Sequence, residues 1–130
     1  MIGRRAFAIR KVPLFTGLTL LESAEVARAA SERTFPAGTE LTHEGGFGET
    51  FFVLLDGAVD VFRGGEKVNT LHPGDFFGEV ALLGHSARNA TITAATNVRA
   101  LVIRGSDFRA VLGRLPDVHE KVLGALVERL

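Results

Sequence analysis

The 130-residue chain carries 15 basic and 15 acidic side chains, so its formal net charge at neutral pH is zero. A hydrophobic content of 46% with 23% charged residues is typical of a globular domain and unlike a disordered chain. The charge balance argues against direct binding of nucleic acid. The chain contains no Cys, which excludes disulfides and thiolate metal sites.

The first 13 residues are predicted to be an N-terminal extension that precedes a single domain over residues 14–130. Arg10 and Lys11 interrupt the apolar stretch of MIGRRAFAIRKVPLF too early for the hydrophobic core of a signal peptide. No stretch approaches the roughly 18 consecutive apolar residues of a membrane span. We therefore expect a cytoplasmic chain that does not cross a membrane.

The first predicted element of the domain is a helix over Leu20–Ser31. Thr19 and Glu22 have the spacing of a capping box, in which each side chain accepts a hydrogen bond from the other residue's amide. The segment LLESAEVARAAS that follows is rich in Ala, Leu and Glu and contains neither Gly nor Pro.

From Phe35 to Arg104, Gly and Pro divide short runs rich in Val, Phe, Thr and Ile, which is typical of an all-β roll or barrel. The segments on either side of Asn97, TITAAT and VRALVIR, are expected to pair with each other. The six strands that the pattern predicts are Thr39–His43, Thr50–Leu55, Ala58–Arg63, Lys67–Leu71, Ala90–Ala95 and Val98–Ile103.

Two helices are predicted after the last strand. Ser106 is a candidate cap for the first, and Pro116 suits the first turn of the second. The second helix carries an apolar stripe broad enough to require a packing partner. Two interpretations stay open: the domain is cut from a longer protein, or the helix meets a partner. The stripe consists of Val118, Val122, Leu126 and Leu130, thickened by Leu123 and Val127.

The segment FGEVALLGHSARNAT, residues 77–91, holds a carboxylate and a guanidinium nine residues apart. A single helical turn over Glu79–Leu83 would present free backbone N–H groups that suit a phosphate. Arg88 follows closely enough for its planar guanidinium to reach the same phosphate. Glu79 would repel a phosphate, so its expected partner is a donor such as a ribose hydroxyl.

This segment resembles the phosphate-binding cassette of the cyclic nucleotide-binding domain family, whose pattern is F-G-E-x-A-L-L, a short loop and R-x-A-T. Upstream, HEGGFGETFFVLLDGAVDVF and HPGDFFGE resemble the hairpins that lead into that cassette, so the similarity extends over about residues 14–130. The resemblance implies a mainly β fold: an eight-stranded antiparallel β-roll, of the jelly-roll or cupin-like kind, with one helix before it and two after it.

The resemblance also implies a role for each residue of the cassette. Glu79 would accept a hydrogen bond from the ribose 2′-hydroxyl, and Arg88 would pair with an exocyclic phosphate oxygen. Gly78 would let the ribose approach closely, and Val80 would touch the ligand from its apolar side. Backbone amides would complete the phosphate cage, and the two residues that supply them are Ala81 and Asn89.

Two departures from the family pattern concern how the base of the nucleotide would be recognised. Asn89 stands where Ala, Ser or Thr is usual, and in the family a Thr at that position tends to favour guanine. The chain has no Tyr or Trp, so an aromatic cap over the base would have to be a Phe or come from another chain. The family also uses arginine or leucine as caps, for which Arg129 and Leu130 are the candidates here.

The expected function is therefore a non-enzymatic regulatory module that binds cAMP, or else cGMP, and relays closure of the cassette to the C-terminal helices. Catalytic residues, metal and cofactor are not expected, because the four His residues form no H-x-H pair and lie far apart in sequence. One alternative is that Glu79 and Arg88 form only a surface ion pair without a function. A second is a roll that no longer binds ligand and serves as a dimerisation or interaction scaffold. Another is the sensor half of a larger regulator or enzyme, with a homodimer or an effector domain as the partner of the last helix.

Overall fold

The computed structural model describes residues 6, 9–79 and 87–129. Over these residues the chain forms a mainly antiparallel β-roll with flanking helices. The helices are a 3-10 turn over Pro13–Phe15, α1 (Leu20–Ala29), α2 (Gly105–Arg114) and α3 (Pro116–Arg129). The eight strands described are β1 (Ala30–Phe35), β2 (Glu40–Thr42), β3 (Thr50–Asp56), β4 (Val59–Arg63), β5 (Glu66–Leu71), β6 (Phe76–Phe77), β7 (Thr91–Ala94) and β8 (Val98–Arg104).

The strands form two four-stranded sheets, one in the order β1-β8-β3-β6 and the other in the order β2-β7-β4-β5. Every pairing is antiparallel. Within the described residues, α1 leads directly into the roll and α2 and α3 follow it, which confirms the fold that the family resemblance implies.

Strand β3 of the first sheet is buried on both faces, which explains its unbroken apolar run. Phe51 and Val53 pack among the helices, whereas Phe52 and Leu54 point to the space between the two sheets. Successive side chains of a strand point to opposite faces, so a strand with two buried faces needs apolar residues at every position. Phe51 also stacks on Phe108 of α2, with the ring centroids 4.0 Å apart.

The N-terminal segment contributes to the helical side of this core. Ile9, Val12 and Leu14 are buried and belong to the same hydrophobic cluster as Phe108. Lys121 of α3 ties this segment to the C-terminal helices, because its ammonium group donates to three main-chain carbonyls at distances of 3.1 to 3.5 Å. The residues that supply those carbonyls are Pro13, Leu14 and Thr16.

The capping box at the start of α1 is confirmed. The Glu22 amide donates to Oγ1 of Thr19 at 3.1 Å, and the Thr19 amide donates to Oε1 of Glu22 at 2.9 Å. The predicted end of this helix at Ser31 is wrong, because the chain enters β1 at Ala30 and pairs there with Ile103.

Two strands were not predicted, and one expected pairing does not occur. β1 is mostly polar and exposed, and β6 has only two residues. β7 pairs with β2 and β4, whereas β8 pairs with β1 and β3, so the expected hairpin around Asn97 is wrong. The turn instead carries the chain between sheets, and Asn97 uses its Oδ1 to accept a hydrogen bond from the Ala37 amide at 3.0 Å.

The two C-terminal helices follow the predicted pattern except at one cap. α2 begins at Gly105 after Arg104, without any side-chain cap, so Ser106 lies inside the helix and the expected cap is wrong. α3 begins at Pro116 as predicted. Its apolar stripe is only partly covered: Val118 and Val122 are buried, while Leu123 and Val127 are 43% and 74% exposed.

Candidate functional site

The candidate site begins where β6 ends. Gly78 follows Phe77 with φ at +102°, a conformation that residues with a Cβ rarely adopt. A Cβ atom at Gly78 would lie 2.6 Å from the carbonyl oxygen of Thr50 and 3.0 Å from Nη1 of Arg88. Glycine is therefore required here both by the backbone conformation and by the close approach of β3.

Arg88 is buried against this turn, with 8% of its surface exposed. Its guanidinium donates to two main-chain carbonyls, from Nη1 to Gly78 at 3.2 Å and from Nη2 to Thr50 at 2.9 Å. Gly48 makes room for it, since a Cβ there would lie 2.7 Å from Nη2. The position of the side chain is thus fixed by three neighbouring backbone segments.

The loop before β3 also holds the main chain of Arg88. The Arg88 amide donates to the carbonyl of Gly46 at 2.7 Å, and the Gly45 amide donates to the carbonyl of Arg88 at 2.9 Å. Gly45 has φ at +82°, which gives this loop its tight turn. The glycine-rich segment HEGGFGE therefore positions Arg88 through both its backbone and its side chain.

The charge of Arg88 has no hydrogen-bonded anion among the residues that the structure describes. Within residues 9–79 and 87–129, none of the ion pairs includes Arg88, and its partners are neutral carbonyls. Burial lowers the pKa of Arg88 from its ordinary value, and the nearby Glu79 carboxylate partly opposes that shift. Such a guanidinium is suited to an anion that brings its own charge into the site.

Glu79 is fully buried beside Gly78, with 0% of its surface exposed. One carboxylate oxygen, Oε1, forms an ion pair with Nη1 of Arg129 at the end of α3. The other oxygen, Oε2, is buried without any hydrogen-bond partner in the part of the chain that the structure describes. A buried carboxylate oxygen without a donor is unfavourable, which indicates that a further donor belongs at this position.

The last turn of α3 closes over Glu79 through Arg129. The Arg129 guanidinium lies over the ring of Phe76, with Cζ 5.0 Å from the ring centroid. Its main-chain carbonyl accepts hydrogen bonds from Nη2 of Arg63 at 2.9 Å and from Nδ2 of Asn89 at 3.3 Å. Four groups from the roll therefore hold the end of this helix.

These residues surround a cavity of about 260 Å³ between the second sheet and the end of α3. Its wall is polar at the cassette and at the helix end, and along the strands it is mostly apolar, with Arg63 and Asn69 as the polar exceptions. The lining residues are Val61, Arg63, Val68, Asn69, Leu71, Phe77, Gly78, Glu79, Asn89, Ala90, Ile92, Glu128 and Arg129.

The structure brings three of the predicted site residues, Gly78, Glu79 and Asn89, to the wall of this cavity. Arg88 lies directly behind the wall, bonded to the carbonyl of Gly78. The interpretation of Glu79 and Arg88 as a surface ion pair is wrong, because both are buried and Glu79 pairs with another arginine. Their roles toward a ligand remain predictions.

The predicted residues Val80 and Ala81 lie outside the described residues, as does the rest of the helical turn expected over Glu79–Leu83. Sequence reasoning missed Arg63 and Asn69, both of which line the cavity. Their strands β4 and β5 were predicted, but no sequence signal shows which strand positions face a cavity closed by a distant helix.

Two further properties of the described ranges concern metal binding and membrane insertion. Across residues 9–79 and 87–129, no cluster of three or more His, Asp or Glu side chains is arranged to hold a metal ion. No helix within the described ranges combines the length and the apolar character that crossing a membrane requires.

Comparison with known proteins identifies the family. The model of the cyclic nucleotide-binding domain matches residues 32–114, which is more than half of the chain. The chain therefore belongs to the cyclic nucleotide-binding domain family. The residues matched run from within β1 to the end of α2 and include the cassette.

Individual relatives agree with this assignment. The cAMP-dependent protein kinase regulatory subunit of Aspergillus niger is 35% identical over 115 residues, which are 87% of this chain and 28% of that protein. The cAMP-bound regulatory chain PfPKA-R superposes with a TM-score of 0.84 at 26% identity, covering 96% of this chain and 44% of that one. The regulatory subunit of a cAMP-independent protein kinase A from Trypanosoma brucei gives a TM-score of 0.81 at 30% identity, covering 91% and 45%.

In these relatives the matched domain is part of a longer protein. The chain spans about a quarter to a third of the length of the curated relatives it matches. It is a cyclic nucleotide-binding regulatory domain like those of the kinase regulatory subunits.

Proposed function

We propose that this domain binds cAMP in preference to cGMP in the cavity beneath the end of α3, and that it regulates without catalysing a reaction itself. The ribose 2′-hydroxyl donates to Glu79, and an exocyclic phosphate oxygen pairs with Arg88. Cytoplasmic location, and a homodimer or an effector domain as the partner, remain predictions that accompany this proposal.

One observation supports the proposal above the others: two buried opposite charges flank Gly78 without being hydrogen-bonded to each other. Glu79 is 0% exposed and Arg88 is 8% exposed. Among the residues that the structure describes, Oε2 of Glu79 has no donor and the side chain of Arg88 bonds only to neutral carbonyls. A ligand with one anionic phosphate and an adjacent hydroxyl satisfies both groups at once. Cyclic nucleotides have this combination, and the domain's relative PfPKA-R is bound to cAMP.

The preference for cAMP rests on Asn89. Its amide nitrogen donates to the carbonyl of Arg129, so this amide is engaged by α3 and is not free to contact guanine. The rest of the cavity wall near the strands is largely apolar, from Val61, Val68, Leu71 and Ile92. Such a wall accommodates the flat face of a purine. Its two polar strand residues already have partners, since Arg63 donates to the carbonyl of Arg129 and Oδ1 of Asn69 accepts from the amide of Thr70.

The relay to the helices starts at the backbone that holds Arg88. Nη2 of Arg88 bonds to the carbonyl of Thr50, and the next residue, Phe51, stacks on Phe108 of α2. A phosphate that draws Arg88 toward itself weakens the bond to Thr50 and changes the packing of Phe51 against α2. A ligand can shift the helices only if it binds more tightly to one packing of Phe51 against α2 than to the other. Such a difference in binding free energy is commonly about 1 to 3 kcal/mol.

Calorimetric titration with cAMP and cGMP tests the proposal. We expect cAMP to bind more tightly, and Arg88→Ala to weaken its binding by roughly 2 to 5 kcal/mol because the phosphate loses its charged partner. Arg99→Ala is the matched control, since Arg99 is an exposed strand arginine paired with Glu32 and remote from the cavity. Thermal unfolding of each variant verifies that it is folded. Equal affinity of wild type and Arg88→Ala would refute the site.

A scaffold without nucleotide binding is the second candidate. It is favoured by the exposed apolar residues of α3, Leu123 and Val127, which suit a protein contact. The similarity to the regulatory subunit of a cAMP-independent kinase is compatible with it. Under this alternative neither nucleotide gives a titration signal, and the chain associates with increasing concentration in sedimentation experiments unless Val127 is replaced by a charged residue.

A further inference from the structure

The side chain of Glu44 connects the loop that holds Arg88 to the β4–β5 hairpin. Glu44 belongs to the glycine-rich segment HEGGFGE between β2 and β3. Its Oε1 accepts a hydrogen bond from the amide of Gly64 at 2.9 Å. Gly64 lies in the turn between β4 and β5, the two strands that supply much of the cavity wall.

The main chain of Glu44 is fixed to the segment that carries Arg88. The Glu44 amide donates to Oγ1 of Thr91 at 2.9 Å. The next two residues of the loop exchange hydrogen bonds with the main chain of Arg88. The carboxylate of Glu44 therefore extends to the hairpin from a backbone that is itself bonded to the end of the cassette.

The tip of the β4–β5 hairpin, residues 63–66, has few other attachments. β5 is an edge strand that pairs only with β4, and β4 pairs with β7 only as far as Phe62. In the described part of the chain, two hydrogen bonds join the tip to the rest of the protein, one to Glu44 and the other to Arg129. An edge hairpin with so few contacts shifts easily when one of them is lost.

The hairpin supplies the part of the wall on which the purine is expected to lie. Five of the residues that line the cavity belong to β4 or β5, and three of these are apolar. Glu79 and Arg88, to which the proposed function assigns the ribose and the phosphate, lie outside the hairpin. The position of the hairpin therefore affects the base and leaves the phosphate contact unchanged. The five lining residues are Val61, Arg63, Val68, Asn69 and Leu71.

We propose that Glu44 is a positioning residue for the base: its carboxylate holds the tip of the β4–β5 hairpin in place, so that the wall meets the purine while Arg88 holds the phosphate. The proposal rests on the function proposed above and deepens it, because it assigns the affinity for the base in part to a residue that does not touch the ligand.

The energetic reason is that a wall already in place binds at lower cost. A purine that meets an unfastened hairpin must order it, and that cost reduces the affinity. The bond between Glu44 and Gly64 is exposed to solvent, so its loss is expected to weaken binding by only about fivefold, the equivalent of one net hydrogen bond.

The test compares wild type, Glu44→Gln and Glu44→Ala. Glutamine removes the same charge as alanine but keeps a carbonyl oxygen that accepts from the Gly64 amide. The ligands are cAMP and the methyl riboside of ribose 3′,5′-cyclic phosphate, which keeps the phosphate and the 2′-hydroxyl but has no base. We expect cAMP to bind Glu44→Ala about fivefold more weakly than Glu44→Gln in calorimetric titration. The ligand without a base should bind all three proteins equally, as followed by NMR titration.

The control variant is Glu40→Ala. Glu40 is an exposed glutamate of β2 whose side chain pairs with His43, and it is not among the described residues that line the cavity. Its replacement is expected to leave the affinity for cAMP unchanged, and thermal unfolding verifies that each variant is folded.

Amide hydrogen exchange follows the hairpin directly. The amide of Gly64 should exchange faster in Glu44→Ala than in wild type, because it has lost its acceptor, and Glu44→Gln should restore the protection. Unchanged exchange at Gly64 in Glu44→Ala would show that Glu44 does not hold the tip, which overturns the proposal.

The titrations separate this proposal from the proposed function. Equal affinity of Glu44→Ala and Glu44→Gln for cAMP overturns the role of Glu44 and leaves nucleotide binding standing. An equal loss for both ligands in Glu44→Ala also overturns it, because Glu44 would then act through Arg88 and not through the hairpin. Failure of wild type to bind either ligand overturns the proposed function, and the role of Glu44 with it.

Discussion

Replacing Gly78 by Ala tests whether the turn before Glu79 needs glycine for two separate reasons. The backbone conformation, with φ at +102°, is strained for a residue with a Cβ and costs about 1 to 3 kcal/mol. The new Cβ would also lie 2.6 Å from the carbonyl oxygen of Thr50. Relieving that overlap adds about 1 to 3 kcal/mol. We expect Gly78→Ala to lower the free energy of unfolding by about 2 to 6 kcal/mol in all.

Urea unfolding of Gly78→Ala beside Gly38→Ala separates the two contributions. Gly38 has nearly the same φ, +90°, but no atom lies within 4 Å of the position its Cβ would take. Its replacement therefore reports backbone strain alone. The same titration with cAMP should show weaker binding for Gly78→Ala, because the turn holds both Glu79 and the carbonyl bonded to Arg88. If Gly78→Ala destabilises no more than Gly38→Ala, the close approach to β3 does not constrain the site.

Phe108→Ala should lower the free energy of unfolding by about 3 to 5 kcal/mol, because it removes a fully buried ring stacked on Phe51. Phe47→Ala, at an 87% exposed position, is the control. Equal effects of the two replacements in urea unfolding would contradict the assignment of Phe108 to the core. Thr19→Ala should lower it by about 1 kcal/mol through loss of the capping box, and unchanged amide exchange in the first turn of α1 would argue against that role. Lys121→Met should lower the free energy of unfolding by about 1 kcal/mol and increase amide exchange near Pro13–Phe15, where the ammonium group binds three carbonyls. Unchanged exchange there would show that Lys121 does not hold the N-terminal segment.

Much of the roll was predictable because its strands alternate with glycine-marked turns and carry apolar side chains. β3 was predictable from its short apolar run between turn residues, and the cassette was recognised because FGEVALL and RNAT resemble the family pattern. β1 escaped prediction because it is an edge strand with exposed polar side chains. It is a strand because β8 supplies hydrogen-bonding partners from Ala30 to Phe35.

Other features depend on contacts between distant parts of the chain, which a local pattern does not contain. β7 and β8 are adjacent in sequence and have similar composition, yet they join different sheets. The ion pair of Glu79 with Arg129 joins residues 50 positions apart. It forms because the last turn of α3 lies at the cavity, where Glu128 and Arg129 contribute to the wall. The sequence alone indicated Arg129 only as a candidate cap for the base.

The crystal structure of the domain in complex with cAMP tests the central claim most directly. We predict that the exocyclic phosphate oxygen lies about 2.7 to 2.9 Å from a guanidinium nitrogen of Arg88, the distance of a charge-assisted hydrogen bond, with the ribose 2′-hydroxyl on Glu79. A nucleotide bound elsewhere, with Arg88 still bonded only to the carbonyls of Gly78 and Thr50, would contradict the account.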